Sequence, residues 1–190
     1  MQIVQHTLIE RRCIMAEYIS ISPDVEVIGG VINAVIAGVG DECIPILEKY
    51  NLYPIINEKW YKQQDFLNAF KELNEGNFLN LVAIGMRIPD NAIWPPDVKT
   101  VHDALASINV AYQMNNRNGE IGGYYYTQTG PNSGTMVCKN PFPSNFDYGL
   151  IYRTVQKFRE STDIQFVVKR DDSIPNRLTG ADSCTYNISW

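Results

Sequence analysis

Residues 124–138 read YYYTQTGPNSGTMVC, and this stretch predicts a β-hairpin. Residues 124–127 and 135–138 are rich in aromatic and β-branched side chains, which favour strands. Between them, residues 130–134 contain the glycine, proline and asparagine typical of a hairpin loop. The turn-forming run at residues 115–119 precedes the hairpin, so the chain is expected to change there from helix to sheet.

The residues after the hairpin predict a helix followed by two more strands. Ser144 and Asp147 have the spacing of a helix-capping pair, and the apolar residues that follow them recur at helical intervals. Residues 164–169 and 184–190 alternate apolar and polar side chains, as half-buried strands do. We therefore predict an α+β fold in which residues 119–190 form a four-stranded, mostly antiparallel ββαββ sheet with a helix across it.

The chain before this sheet predicts a mainly helical part, residues 1–118. Ser22, Pro23 and Asp24 form a helix start, because Ser22 caps free N–H groups and Pro23 has no N–H group to leave unpaired. A glycine- and alanine-rich helix is expected from there to Val39. Four further helices are expected near residues 41–50, 63–73, 78–88 and 98–112. No linker composition interrupts the chain, so residues 1–190 are predicted to form a single domain.

Two of these helices have distinctive patterns. The fourth, with Asn77 as its expected cap and Pro89 as its end, is apolar nearly all round and is expected to be central. The fifth has apolar residues from Val98 to Tyr112 at steps of three and four, which is the clearest helical pattern in the sequence.

The composition excludes several classes of protein. The 190 residues are 45% hydrophobic, and their net charge is −5 without any run of Lys or Arg, so no nucleic-acid partner is expected. No apolar run is long enough to span a membrane, and no secretory signal core is found, so we expect a cytoplasmic protein. The four cysteines form no C-x-x-C pair, which argues against a zinc or dithiol site; they are Cys13, Cys43, Cys138 and Cys184.

Few residues offer catalytic chemistry. The sequence has two histidines, His6 and His102. His102 as a base and Cys138 as a nucleophile are conceivable, but nothing in the sequence brings them together. Asp171, Asp172 and Asp182, together with Arg170 and Arg177, are expected to form a solvated, charge-balanced loop. The sequence therefore predicts a protein that is not an enzyme.

Three local patterns in the second half follow one order of elements. LASI at residues 105–108 leads a helix into two strands, YGLI at 148–151 begins the next helix, and SCTYNISW at 183–190 is a terminal strand. In this order, residues 105–190 resemble the C-terminal part of haem nitric-oxide/oxygen-binding (H-NOX) domains. They also resemble related small-ligand domains, namely the four-vinyl-reductase type and the TRAPP subunits of Golgi transport.

The resemblance implies a haem site, but this sequence departs from the family pattern at two positions. H-NOX domains ligate iron through a histidine on the helix before the sheet, where this chain has Tyr112, ten residues after His102. The family's Tyr-x-Ser-x-Arg pattern, which binds the haem propionates, is missing from residues 135–141. Tyr112 could ligate ferric haem as a phenolate only beside a positive partner, for which Arg117 is nearest in sequence.

We therefore predict a non-catalytic sensory or adaptor domain that binds a small apolar molecule between the helices and the sheet, without a cofactor. One alternative is a haem-binding gas sensor with Tyr112 or His102 as the iron ligand. Another is a ligand-free interaction module that binds a protein partner or forms a homodimer. The simplest outcome for the apolar faces is that they fill one another completely and leave no pocket. The candidate pocket residues are Tyr112, Leu105, Ile108, Phe78, Val82, Met86 and Cys138.

Overall fold

The computed structural model describes residues 17–37, 39–77, 79–160 and 165–190. These ranges contain six α-helices and two antiparallel sheets, which confirms the predicted α+β class. Three of the residues discussed above, His6, Cys13 and Phe78, lie outside the described ranges. The elements are β1 (Glu26–Ile28), α1 (Gly29–Ile36), α2 (Ile44–Lys49), β2 (Trp60–Lys62), α3 (Gln63–Glu75), α4 (Leu81–Asn91), α5 (Val101–Asn115), β3 (Asn116–Arg117), β4 (Gly123–Gly130), β5 (Ser133–Lys139), α6 (Ser144–Phe158), β6 (Val167–Arg170) and β7 (Cys184–Ser189).

The second half forms the predicted four-stranded sheet. Its strand order is β4-β5-β7-β6, and every neighbouring pair is antiparallel. The hairpin turns at residues 131–132, and Cys138 of β5 lies opposite both Tyr124 of β4 and Cys184 of β7. Helix α6 begins on this sheet, because the Tyr186 hydroxyl of β7 donates to the Ser144 carbonyl at 2.7 Å.

The helix predicted from Ser22 begins later than expected. Residues 26–28 instead form β1, which pairs with β2 on one side and β3 on the other in a second, three-stranded sheet. Val25 and Val27 are buried while Glu26 between them binds Arg117, which is the alternation of a strand. Helix α1 starts at Gly29, where a Cβ atom would lie 2.0 Å from the Ile56 carbonyl oxygen. Only glycine allows the chain this close approach.

The capping residues predicted for helices α4 and α6 were wrong. Helix α4 is capped by Asn80, whose side chain accepts from the Ala83 N–H, and it continues through Pro89 to Asn91. Helix α6 has Pro143 at its N-cap position without a side-chain cap bond. Ser144 binds the Glu17 carboxylate, and Asp147 points into the protein. The side chains of Ser144 and Asp147 therefore have partners elsewhere in the fold.

Helices α4 and α6 pack directly against each other through two glycines. A Cβ atom on Gly85 would lie 2.1 Å from the Phe146 carbonyl oxygen, and one on Gly149 would lie 2.2 Å from the Val82 carbonyl oxygen. The backbones therefore touch at the middle of α4. Helix α4 was expected to be central, but three of its eleven residues are buried, namely Ile84, Gly85 and Pro89, so that expectation was wrong.

Aromatic rings join the helical part to the sheet part. Phe66 and Phe70 of α3 are stacked with ring centroids 5.8 Å apart. Phe70 meets Phe146 of α6 edge-on at 6.0 Å, and Phe66 meets Phe142 at 6.3 Å. Buried residues from both halves therefore form one hydrophobic core.

Candidate functional site

A cavity of 470 Å³ lies where α1, α4, α5 and α6 meet. Helix α1 contributes its small residues, the ends of α4 and α5 form two sides, and α6 together with β4 closes the inner end. Its volume is within the range of small-molecule sites in proteins. The lining residues are Gly30, Val31, Ala34, Ile88, Pro89, Asn91, Ala92, Ile93, Trp94, Pro95, Ser107, Ile108, Val110, Ala111, Tyr112, Met114, Asn115, Asn116, Tyr124, Phe142, Phe146 and Leu150.

The cavity wall is apolar, and its inner polar groups are bound within the protein. The Tyr112 hydroxyl donates to the Ile121 carbonyl at 2.6 Å, and the Tyr124 hydroxyl donates to the Asp147 carboxylate at 2.7 Å. The Trp94 indole N–H donates to the Pro89 carbonyl at 2.9 Å. No Asp, Glu, Lys or Arg occurs among the described residues that line it. Such a wall favours a ligand that is mainly hydrocarbon.

The structure brings together two of the seven predicted pocket residues. Ile108 and Tyr112 of α5 line the cavity, whereas Leu105 and Cys138 are buried away from its wall. Val82, in the first turn of α4, and Met86 are not in the wall, and the Val82 backbone lies against Gly149 of α6. The end of α4 lines the cavity instead. Phe78, the seventh residue, lies outside the described part of the chain.

Tyr112 is poorly suited to ligate iron as a phenolate. Burial raises the pKa of its hydroxyl far above the ordinary value, and the proton is held by the Ile121 carbonyl. The expected positive partner is engaged elsewhere. Arg117 binds Glu26 at 2.7 Å, and its guanidinium lies 4.3 Å from the Trp60 ring centroid.

His102 lies outside this cavity, at the start of α5. Its Nε2 donates to the Pro131 carbonyl at 2.7 Å, since a carbonyl can only accept. Its Nδ1 therefore accepts from the Tyr126 hydroxyl at 2.5 Å in the neutral ring. The ring also contacts Trp190, at 4.7 Å between centroids. His102 thus joins α5 to the hairpin and the end of the sheet.

The donor set of the cavity does not suit haem. Among its described lining residues, those with a side-chain atom of a kind that ligates haem iron are Tyr112, Tyr124 and Met114, and none of them is a histidine or cysteine. The Tyr124 hydroxyl, like that of Tyr112, donates its proton within the protein, to Asp147. Met114 is 73% exposed, at the rim. The part of the wall that the structure describes contains no Lys or Arg to pair with the propionates. The described ranges also contain no cluster of His, Cys, Asp or Glu able to hold a metal ion.

A buried ion pair beside the cavity was not predicted from the sequence. Arg177, expected in a solvated loop, is fully buried and pairs with the equally buried Asp147. Its other amino group donates to the Asn140 carbonyl at 2.6 Å, while the Tyr124 hydroxyl donates to Asp147. Burial raises the pKa of Asp147, and the charge of Arg177 opposes that rise.

The remaining residues of the predicted loop do lie at the surface. Arg170 binds Asp172 at 2.6 Å, and Asp182 lies 3.4 Å from Lys139. One sequence feature could have revealed the buried carboxylate of this pair, although not its partner. Asp147 falls on the apolar face of α6, three and four residues before the buried Leu150 and Ile151.

The cysteine chemistry considered from the sequence gains no support. Cys138 is fully buried, and burial raises the pKa of its thiol well above the ordinary value. It lies across from Tyr124 and Cys184 in the sheet, whereas His102 contacts Tyr126, Pro131 and Trp190. Cys138 and His102 therefore have different contact partners.

None of the helices in the described ranges has the length and apolar character that crossing a membrane requires.

No known family profile matches the sequence, and no curated protein matches it significantly. The fold, in contrast, has clear counterparts among solved structures.

Three solved H-NOX structures illustrate the similarity. The Fe(II) unliganded H-NOX protein from K. algicida has 16% identity and a TM-score of 0.58, over 85% of this chain and 95% of that one. The S. oneidensis H-NOX protein in the Fe(II)NO state has 14% identity and a TM-score of 0.59, over 85% and 97%. A mutant of the T. Tengcongensis H-NOX protein has 14% identity and a TM-score of 0.60, over 85% and 93%. The similarity extends beyond the C-terminal part on which the sequence resemblance rests, and the chain has an H-NOX-like fold.

Proposed function

We propose that this chain is a non-catalytic small-molecule-binding domain, sensory or adaptor in role, whose ligand is apolar and is not haem. The observation that carries the proposal is the 470 Å³ apolar cavity enclosed by the ends of α4 and α5 in an H-NOX-like fold. Apolar ligands bind such cavities by removing hydrocarbon surface from water. The cytoplasmic location, the absence of a nucleic-acid partner and the kinship with four-vinyl-reductase and TRAPP domains stay predictions.

Haem is the second candidate, because the similar structures are described with Fe(II) or haem. The lining of this cavity argues against it. Tyr112 keeps its proton, His102 lies at another place on the fold, and the described residues of the wall include no Lys or Arg. We therefore expect no stoichiometric haem binding and no axial ligation by Tyr112.

Native mass spectrometry of the protein as purified is the first experiment. A bound species of lipid-like mass, lost on denaturation, would support the proposal, and the mass of haem would overturn it in favour of the second candidate. The same spectrum reports whether the chain is a monomer or a homodimer. A dimer without bound mass would favour the ligand-free interaction module.

A cavity-filling variant tests the site directly. Ala111 lines the cavity and Ala106 does not, although both lie at exposed positions on α5. We expect Ala111→Trp to weaken binding of the neutral dye Nile red at least tenfold, because the indole occupies the cavity. Ala106→Trp should bind as the wild type does. Equal binding by all three proteins would place the dye elsewhere and reject the cavity as the site.

A further inference from the structure

Two helices end at the wall of the cavity. Asn91 is the last residue of α4, Asn115 is the last residue of α5, and both line the wall. The C-terminal end of a helix carries the negative end of the helix dipole, and the carbonyl groups of its last turn accept hydrogen bonds from outside the helix. In α4 the Pro89 carbonyl accepts from Trp94 and Lys157 in this way. This part of the wall therefore favours hydrogen-bond donors.

The two terminal asparagines present acceptors as well. Asn91 Nδ2 donates to the Arg87 carbonyl at 3.0 Å, and Asn115 Nδ2 donates to the Ala111 carbonyl at 2.8 Å. Because a carbonyl cannot donate, these bonds identify which end of each amide is the NH2 group. Each side chain is left with its Oδ1 atom, a hydrogen-bond acceptor, for any further partner.

The exposure of the wall changes from one end of the cavity to the other. Its inner residues are almost fully buried: Tyr124 is 3% exposed, Ile108 6% and Tyr112 7%. Its rim is open, since Met114 is 73% exposed and Ile93 is 99% exposed. Asn91 is also exposed, and Asn115 is half-buried. A ligand that fills this space has an apolar end inside and another end near water.

The cations near this region are bound to other groups. Lys157 of α6 donates to the Pro89 carbonyl at 2.8 Å and lies 5.9 Å from the Trp94 ring centroid. Arg153 binds Asp90 at 2.8 Å, and Arg87 donates to the Ala37 carbonyl. None of these three side chains is part of the wall.

We propose that the ligand is a single-chain amphiphile whose hydrocarbon chain fills the cavity and whose uncharged, hydrogen-bond-donating head, such as a hydroxyl, binds Asn91 and Asn115 at the rim. This inference rests on the proposed function and specifies the ligand class of the same site. A carboxylate head is disfavoured, because it would meet two helix C-termini and two acceptor oxygens.

Three probes of equal chain length separate these head groups: decan-1-ol, decyl methyl ether and decanoate, each measured by displacement of Nile red at pH 8. The alcohol donates a hydrogen bond, the ether only accepts, and the decanoate is an anion. We expect the alcohol to bind about tenfold more tightly than the ether, the effect of one or two hydrogen bonds. Decanoate should bind most weakly.

The asparagines are tested by the double substitution Asn91→Ala with Asn115→Ala. We expect the double variant to bind the ether as the wild type does and to lose its preference for the alcohol. Asn145→Ala is the matched control, because Asn145 is exposed on α6 and does not line the cavity. It should keep the full preference.

The outcomes distinguish the two proposals. Equal binding of alcohol and ether by the wild type would overturn the inference about the head group and leave the apolar site intact. Tightest binding of decanoate would also overturn it and would indicate that Lys157 receives the head. Failure of all three probes to displace Nile red would count against the proposed function itself.

Discussion

Arg177 and Asp147 illustrate how one pair of residues stabilises the inner end of the site. Neither side chain has exposed surface, and Asp147 also accepts from Tyr124, which lines the cavity. Removing one member of such a pair leaves an uncompensated buried charge, at a cost of about 3–5 kcal/mol. We expect Arg177→Met to lower the free energy of unfolding by about that amount in urea denaturation at pH 8.

The loss of stability in Arg177→Met should depend on pH. Burial already raises the pKa of Asp147, and the variant loses the guanidinium that opposes this rise. The folded variant then binds a proton that the unfolded chain releases above about pH 4, so its stability falls as the pH increases. We therefore expect a smaller deficit at pH 5 than at pH 8. Adding Asp147→Asn should remove this difference, and an equal deficit at both pH values in the single variant would contradict the explanation.

Single residues also show the limit of prediction from sequence. Ile108 and Tyr112 were predicted in the pocket because they belong to a regular apolar stripe, and they do line the cavity. Arg177 was assigned to the surface because its neighbours are polar. Its partner Asp147 lies thirty residues earlier, and no local pattern reports such a contact.

At the scale of elements, the α4–α6 contact depends on the absence of two side chains. A Cβ atom on Gly149 would overlap the Val82 carbonyl oxygen, and this backbone cannot move without separating the helices. We expect Gly149→Ala to destabilise the protein by about 1–3 kcal/mol, measured as a shift of the urea midpoint. The control is Gly30→Ala in α1, where the nearest atom to the new methyl group is 3.8 Å away. There the substitution should stabilise by about 0.4–1 kcal/mol, since it restricts only the unfolded chain. The same loss at both positions would mean that backbone contact is not the cause.

Helices and strands were predictable to different degrees, for a physical reason. The hairpin, α3 and α5 have strong local patterns, and the structure contains them near the predicted residues. Strand β1 has three residues and exists through pairing with β2 and β3, whose paired residues lie 32–36 and 89–91 positions later in the sequence. Asn80 rather than Asn77 caps α4, because Asn77 belongs to the turn that ends α3, where its N–H donates to the Asn74 carbonyl.

At the scale of the whole molecule, the fold class followed from the order of elements, but the cavity did not. Sequence patterns show which faces are apolar, and apolar faces either fill each other or leave space. Here the middle of α4 lies against α6 at Gly85 and Gly149, and the end of α4 at Asn91 lines the space that remains. The three-dimensional arrangement of α1, α4 and α5 is needed to show where this cavity lies.

The same arrangement predicts that the helical part and the sheet part unfold together. Phe66 and Phe70 of α3 contact Phe142 and Phe146, so unfolding either half exposes the aromatic surface of the other. Because one core contains described residues of both parts, from Tyr18 onward, we expect a single cooperative transition in urea.

Trp60 and Trp190 allow this expectation to be measured in each part separately. Trp60 lies in β2 and Trp190 follows β7. Two variants, each keeping one of these tryptophans and carrying Trp→Phe at the other tryptophan positions, report on the two sheets independently. Their fluorescence midpoints should coincide with each other and with the midpoint from far-UV circular dichroism. An earlier midpoint for Trp60 would show instead that the helical part opens while the four-stranded sheet persists. The wall of the cavity would then come from two separately stable units, since α5 and α6 line it from either side of residue 118.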